Sequence, residues 1–207
     1  MRKPIALVLA VAIFTLATAA LAAKPAGVTI AVAKPTIIYG GTDVLSGKVS
    51  SNQAGEKVMV LAQANGAATF TPVATVDTTT GGSWTYTASP TIQTAYEAQW
   101  LTNTSNAVAV KVRPQLTLAK VSISGSRGTF SVKALADRAF TGKFVLVQRL
   151  SASGVTQLKK VVLGSDSTAT FTIKVQAGTS RLRAVMPTSQ TEPGYVAAQS
   201  AVLVVTR

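Results

Sequence analysis

From Val28 onward the chain is cut by turn residues into short β-branched runs at 10–15-residue spacing, which excludes most architectures at once. Runs of this length, rich in Val, Thr and Ala, suit a pleated and half-buried surface. No stretch carries the 3.6-residue apolar period or the Glu/Lys/Leu content of a helix. The runs place strands at 28–33, 44–50, 57–63, 69–76, 83–88, 95–101 and 107–112, and again at 115–122, 129–134, 144–150, 157–163, 168–175, 181–186 and 201–206. Asn65-Gly66 predicts a hairpin, since both residues tolerate positive φ, and Gly81-Gly82 marks the next reversal. In the second series Ser153-Gly154 and Ser165-Asp166-Ser167 stand in the corresponding places. The expected class is all-β.

Arg113-Pro114 divides the two series. Proline cannot donate to a strand ladder and restricts the residue before it, so it ends one strand and stiffens a short connection. The halves are weakly alike at a spacing of about 86 residues: 96–100 (Tyr-Glu-Ala-Gln-Trp) matches 182–186 (Leu-Arg-Ala-Val-Met), and 57–60 matches 143–146. Seven short strands in under 100 residues, twice over, is the count of an immunoglobulin-like sandwich. The expectation is two tandem Ig-like domains, 24–113 and 114–207, behind an N-terminal signal peptide at 1–23.

Several segments carry a resemblance. Tyr39-Gly40-Gly41-Thr42 leads into Leu45-Ser46-Gly47-Lys48-Val49; Ala54-Gly55-Glu56-Lys57-Val58, Gly82-Ser83-Trp84-Thr85-Tyr86 and Tyr96-Glu97-Ala98 follow. Together they resemble the Ig-like repeats of bacterial secreted and cell-surface proteins. The second half keeps Gly128-Thr129, Val147-Gln148-Arg149 and Leu182-Arg183-Ala184-Val185 but has no aromatic at position 182. The resemblance implies a stalk, spacer or adhesive module.

The beginning of the chain predicts the compartment. Arg2 and Lys3 precede an apolar run from Ile5 to about Leu21 that closes on Ala20-Leu21-Ala22, the pattern read by signal peptidase. Cleavage is expected after Ala22 or Ala23, leaving an exported protein, extracellular or held in the envelope, with no membrane span in its mature form. The alternative is an uncleaved anchor, because the run approaches bilayer-spanning length.

The sequence contains no cysteine and no histidine. That rules out a disulfide framework, a Cys/His zinc site and any nucleophile or base built on those residues. The seven carboxylates, Asp43, Glu56, Asp77, Glu97, Asp137, Asp166 and Glu192, form no calcium-loop pattern and are scattered over both halves. No glycine-rich phosphate loop or nucleic-acid-binding motif is present. A non-enzymatic protein with no cofactor, no metal and no specific nucleic-acid partner is expected.

Charge is distributed unevenly. Residues 27–113 hold five basic and four acidic side chains, whereas 114–207 hold twelve basic and three acidic. Such asymmetry is the footprint of an anionic partner, here an envelope polymer or polysaccharide. Alternation turns Lys133 and Lys174 outward from one sheet and Arg181 and Arg183 outward from the other. Lys159 and Lys160 read as a solvated strand edge, where lysine discourages edge-to-edge association. These six residues are the candidate polyanion-binding set, spread over two faces as a diffuse field. Trp84 and Trp100 share the parity of apolar neighbours and are expected in the core, not on a sugar-stacking platform. Tyr96, just inside a late strand, is placed as a tyrosine corner. The leading expectation is an adhesive or spacer module attached through its basic half. A carbohydrate-binding module, or an accessory subunit that meets a protein partner at a sheet edge, are the alternatives.

Overall fold

The computed structural model describes residues 27–207, and the expected signal segment lies outside them. The first half forms β1 (Ala31–Val32), β2 (Thr36–Ile38), β3 (Asp43–Lys48), β4 (Lys57–Ala64), β5 (Thr71–Asp77), β6 (Ser83–Ala88), β7 (Thr94–Trp100), β8 (Asn103–Thr104) and β9 (Val108–Arg113). The second forms β10 (Gln115–Ser124), β11 (Arg127–Leu135), β12 (Phe144–Ser151), β13 (Gly154–Val162), β14 (Thr168–Lys174), β15 (Thr179–Met186), the one-turn helix α1 (Thr188–Thr191), β16 (Ala198–Gln199) and β17 (Leu203–Thr206).

Each half is a β-sandwich, and among the described residues no strand pairs across the two. In the first, the sheet β1-β3-β6 faces β2-β9-β7-β4-β5; in the second, β10-β11-β14 faces β13-β12-β15, with β16 and β17 both paired to β15. Every pair is antiparallel except β2 with β9. Alternating residues fill the space between the sheets. Val58, Val60, Tyr96, Ala98, Leu45 and Trp84 do so in the first sandwich; in the second, Phe130 stacks on Phe171 at 5.9 Å between ring centroids, against Val145, Val147, Leu182 and Ala184. Both tryptophans lie in this core, Trp84 at 1 % and Trp100 at 9 % exposure. Tyr96 is buried with its hydroxyl beside Thr94.

The sandwiches repeat one another closely. Tyr96, Ala98 and Trp100 correspond to Leu182, Ala184 and Met186, the expected spacing of 86. On β4 and β12 the spacing is 87: Met59 pairs with Gln99 as Leu146 pairs with Val185, so buried Val58 and Val60 match Val145 and Val147. The expected match of 57–60 to 143–146 is thus one residue out, and a one-residue slip exchanges the faces of a strand. Ser167 takes the place of Gly82, both at positive φ, 59° and 68°. In each case the residue's N–H closes a turn, Ser167 onto the Gly164 carbonyl and Gly82 onto the Thr79 carbonyl, both at 3.0 Å.

The main difference lies after β15. Two residues separate β7 from β8, whereas eleven, including α1 and a turn at Pro193-Gly194, separate β15 from β16. The added segment docks on the first sandwich. The Gln93 N–H donates to the Gly194 carbonyl at 2.9 Å, and the Val196 N–H to the Val112 carbonyl at 3.0 Å. Thr91 Oγ1 donates to Asp137 Oδ2 at 3.0 Å across the same boundary. A single residue, buried Pro114, connects β9 to β10.

Candidate anion-binding surface

Strand direction sorts the charges of the second sandwich. Its end near the first sandwich is made by the segments after β11, β13 and β15, and by the start of β10. Its far end is made by the turns β10–β11, β12–β13 and β14–β15. A strand of eight residues at about 3.3 Å each separates the two ends by roughly 25 Å. All three acidic side chains stand at the near end: Asp137 after β11, Asp166 after β13 and Glu192 after β15. The far half holds Arg127, Arg149, Lys174, Arg181 and Arg207 with no Asp or Glu among them.

Several near-end charges are committed to structure. Arg138 Nη2 donates to the carbonyls of Thr191 at 2.6 Å and Glu192 at 2.9 Å. Its guanidinium lies 5.2 Å from the Phe140 ring centroid and 5.6 Å from that of Tyr195. The Tyr195 hydroxyl accepts the Asp137 N–H at 3.2 Å, and burial pushes its pKa up. Asp166 accepts from Thr168 Oγ1 at 2.7 Å and the Thr168 N–H at 3.1 Å; these bonds, with Lys133 as a smaller cause, hold its carboxyl below the usual range.

The six expected residues all reach solvent at least in part, but the fold does not bring them together. Lys133 and Lys174 do share one sheet, at opposite ends, and Asp166 offsets part of the Lys133 field. Arg181 and Arg183 lie on the outer face of the other sheet. There Arg183 is held between Gln148 Oε1, at 3.0 and 3.2 Å, and Gln199 Oε1 at 3.2 Å. Lys160 lies on that same face, its ammonium 3.9 Å from the Phe144 ring centroid. Lys159, on the edge strand β13, reaches the seam between sheets and donates to the Thr172 carbonyl at 3.2 Å. The outer face of β12, β13, β15 and β17 also carries exposed Val155, Val162 and Val204.

Arg127 is absent from the expected set. It is the Cα partner of Lys174, and the two help line a recess of about 330 Å³ with Ser126, Thr172 and Ile173. Strand parity was the available signal: Gly128 and Phe130 face inward, so Arg127 faces out. Among the described residues, the first sandwich has no comparable cluster. Its Lys57 pairs with Asp77 at 2.5 Å, the one ion pair among the described residues, and Asp43 is buried.

Strand pairing and burial define the class: an all-β protein of two tandem sandwiches. No family model matches the sequence, and no curated protein matches it. Among solved structures, one similar chain is a tetra-tandem repeat in the extending region of a large adhesion protein, at 14 % identity and TM-score 0.36. That match covers 87 % of this chain and 49 % of the other. A second is a Salmonella alpha-2-macroglobulin mutant, at 12 % identity and TM-score 0.34, covering 86 % of this chain and 16 % of the other. The chain therefore spans about half the length of the first and a small part of the second. No described helix is long and apolar enough to cross a membrane.

Proposed function

We propose that this is a non-enzymatic exported protein of the cell surface or envelope, held to an anionic polymer by its second sandwich, with the first serving as spacer or protein-contact module. The observation that carries the reading is the charge polarity of the second sandwich. Its acidic side chains are confined to the end that meets the first sandwich, and the opposite half is uniformly basic. Charges of one sign collected at one end attract a polyanion and orient it there. The balanced first sandwich adds little to that field.

The test is sedimentation of the mature protein with isolated cell envelopes across a salt series. Pelleting at low salt and release as salt rises is expected, because exposed charges beyond a Debye length of about 8 Å at physiological ionic strength are screened. Replacing the far-half residues Arg127, Lys174 and Arg181 together with Ser is expected to reduce attachment while the fold persists. Attachment that ignores both salt and these substitutions would remove the electrostatic reading.

A further inference from the structure

Arg127 and Lys174 sit directly opposite one another on β11 and β14 and both point outward, since Gly128, Phe130, Ile173 and Val175 point in. Like charges in directly paired positions, with Cβ atoms about 5 Å apart, destabilise a sheet. The rest of this face avoids the arrangement. Thr129 opposes Thr172, with their hydroxyls 3.5 Å apart; Ser131 opposes Thr170, and Lys133 opposes Thr168. Only the pair at the far end brings two cations together. Lys159 adds a third from the facing sheet, its ammonium fixed at the carbonyl of Thr172, two residues before Lys174. The recess of about 330 Å³ is lined by Arg127, Lys174, Ser126, Thr172 and Ile173, with no carboxylate and without Lys159.

We infer that Arg127 and Lys174 form a site for a tetrahedral oxyanion, the phosphate or sulfate ester of a polymer. This deepens the attachment reading and rests on it. A carboxylate offers two coplanar oxygens, which one guanidinium fork satisfies alone. Two cations from directly paired strands, with Ser126 beside them on the wall of the recess, suit a group with oxygens on several sides. The site differs from a diffuse field in that its effect depends on position, not on net charge alone.

The experiment compares the mature full-length protein with Arg127→Ser/Lys174→Ser and with a control of equal charge loss away from the recess, Lys120→Ser/Lys143→Ser. Binding to inorganic polyphosphate and to dextran sulfate is measured at fixed ionic strength, with melting temperature as the check on folding. The recess variant is expected to bind at least about tenfold more weakly than the control and to melt no lower than the wild type, since a like-charge pair is relieved. Lys174→Gln, which keeps much of the side-chain length and leaves Arg127 in place, is expected to weaken binding severalfold alone. Selective loss with polyphosphate identifies a phosphate ester, and selective loss with dextran sulfate a sulfate ester. Equal loss in the recess variant and the control overturns the site, while envelope sedimentation judges the wider reading separately. Failure of the wild type to bind either probe overturns it outright.

Discussion

Ser105 and Ser200 hold the same post in the two sandwiches. Ser105 Oγ accepts the Ala98 N–H at 2.9 Å and donates to the Asn106 carbonyl at 3.0 Å; Ser200 Oγ accepts the Ala184 N–H at 3.0 Å and donates to the Ala201 carbonyl at 2.8 Å. The serine N–H in turn donates to the carbonyl of that same alanine, at 2.9 Å in both. Each hydroxyl thus lets the chain bend away from the sheet without stranding a buried donor.

Ser105→Ala and Ser200→Ala are each expected to cost about 1–3 kcal/mol, the cost of leaving a buried N–H unpaired. Denaturant midpoints measure it. A change of only a few tenths of a kcal/mol in both would mean the amide finds another acceptor.

Gly47 has no room for a side chain. A Cβ there would stand 1.8 Å from the Thr29 carbonyl oxygen and 2.7 Å from Trp84 Nε1. Gly47→Ala must push β1 off β3 or displace the buried indole, and is expected to cost about 3 kcal/mol, the upper range for overpacking. Trp84 fluorescence should shift to the red as water reaches the ring. An unchanged melting curve would contradict this packing.

Arg138 anchors the segment after β15 that docks on the first sandwich. Arg138→Lys keeps the charge but loses the flat guanidinium that lies against Phe140 and Tyr195 while its Nη2 bridges the Thr191 and Glu192 carbonyls. A loss of about 1–3 kcal/mol is expected, with faster hydrogen exchange at Gln93 and Val196 and no change in salt-dependent sedimentation. Impaired sedimentation with an intact junction would place Arg138 in the attachment surface.

Alkaline pH should weaken the first sandwich. The pKa of Tyr96 is pushed up to about 12 from 10.0, chiefly by burial and next by the nearby Tyr86. Between those values the unfolded chain gives up its proton while the folded chain keeps it, so stability falls as pH rises through the window and is unaffected below it. Tyr195 is shifted in the same direction. Tyr96→Phe is expected to flatten the decline in melting temperature above pH 10, and an equally steep decline in that variant would refute the assignment.

Most strands were legible because each carries its own alternation and its own turns; β6 has the expected limits, 83–88. What escaped depends on partners. Thr36–Ile38, three residues after a proline, is a strand only because β9 lies beside it in parallel register. The slip at 143–147 arose where Phe144, Val145, Leu146 and Val147 run on without alternation, so that only pairing with β15 settles which of them face inward. The basic half was legible as a count. Its polarity was not, because the position of Asp137, Asp166 and Glu192 at one end follows from strand direction, and Arg127 meets Lys174 only through a pairing 47 residues apart in the chain.

Pro114 leaves the two sandwiches no slack. Tension applied along the chain passes from β9 straight into β10, and the Gln93–Gly194 and Val196–Val112 hydrogen bonds resist bending at that junction. Any bend between the two sandwiches therefore has to part these two hydrogen bonds, in both of which the segment between β15 and β16 takes part.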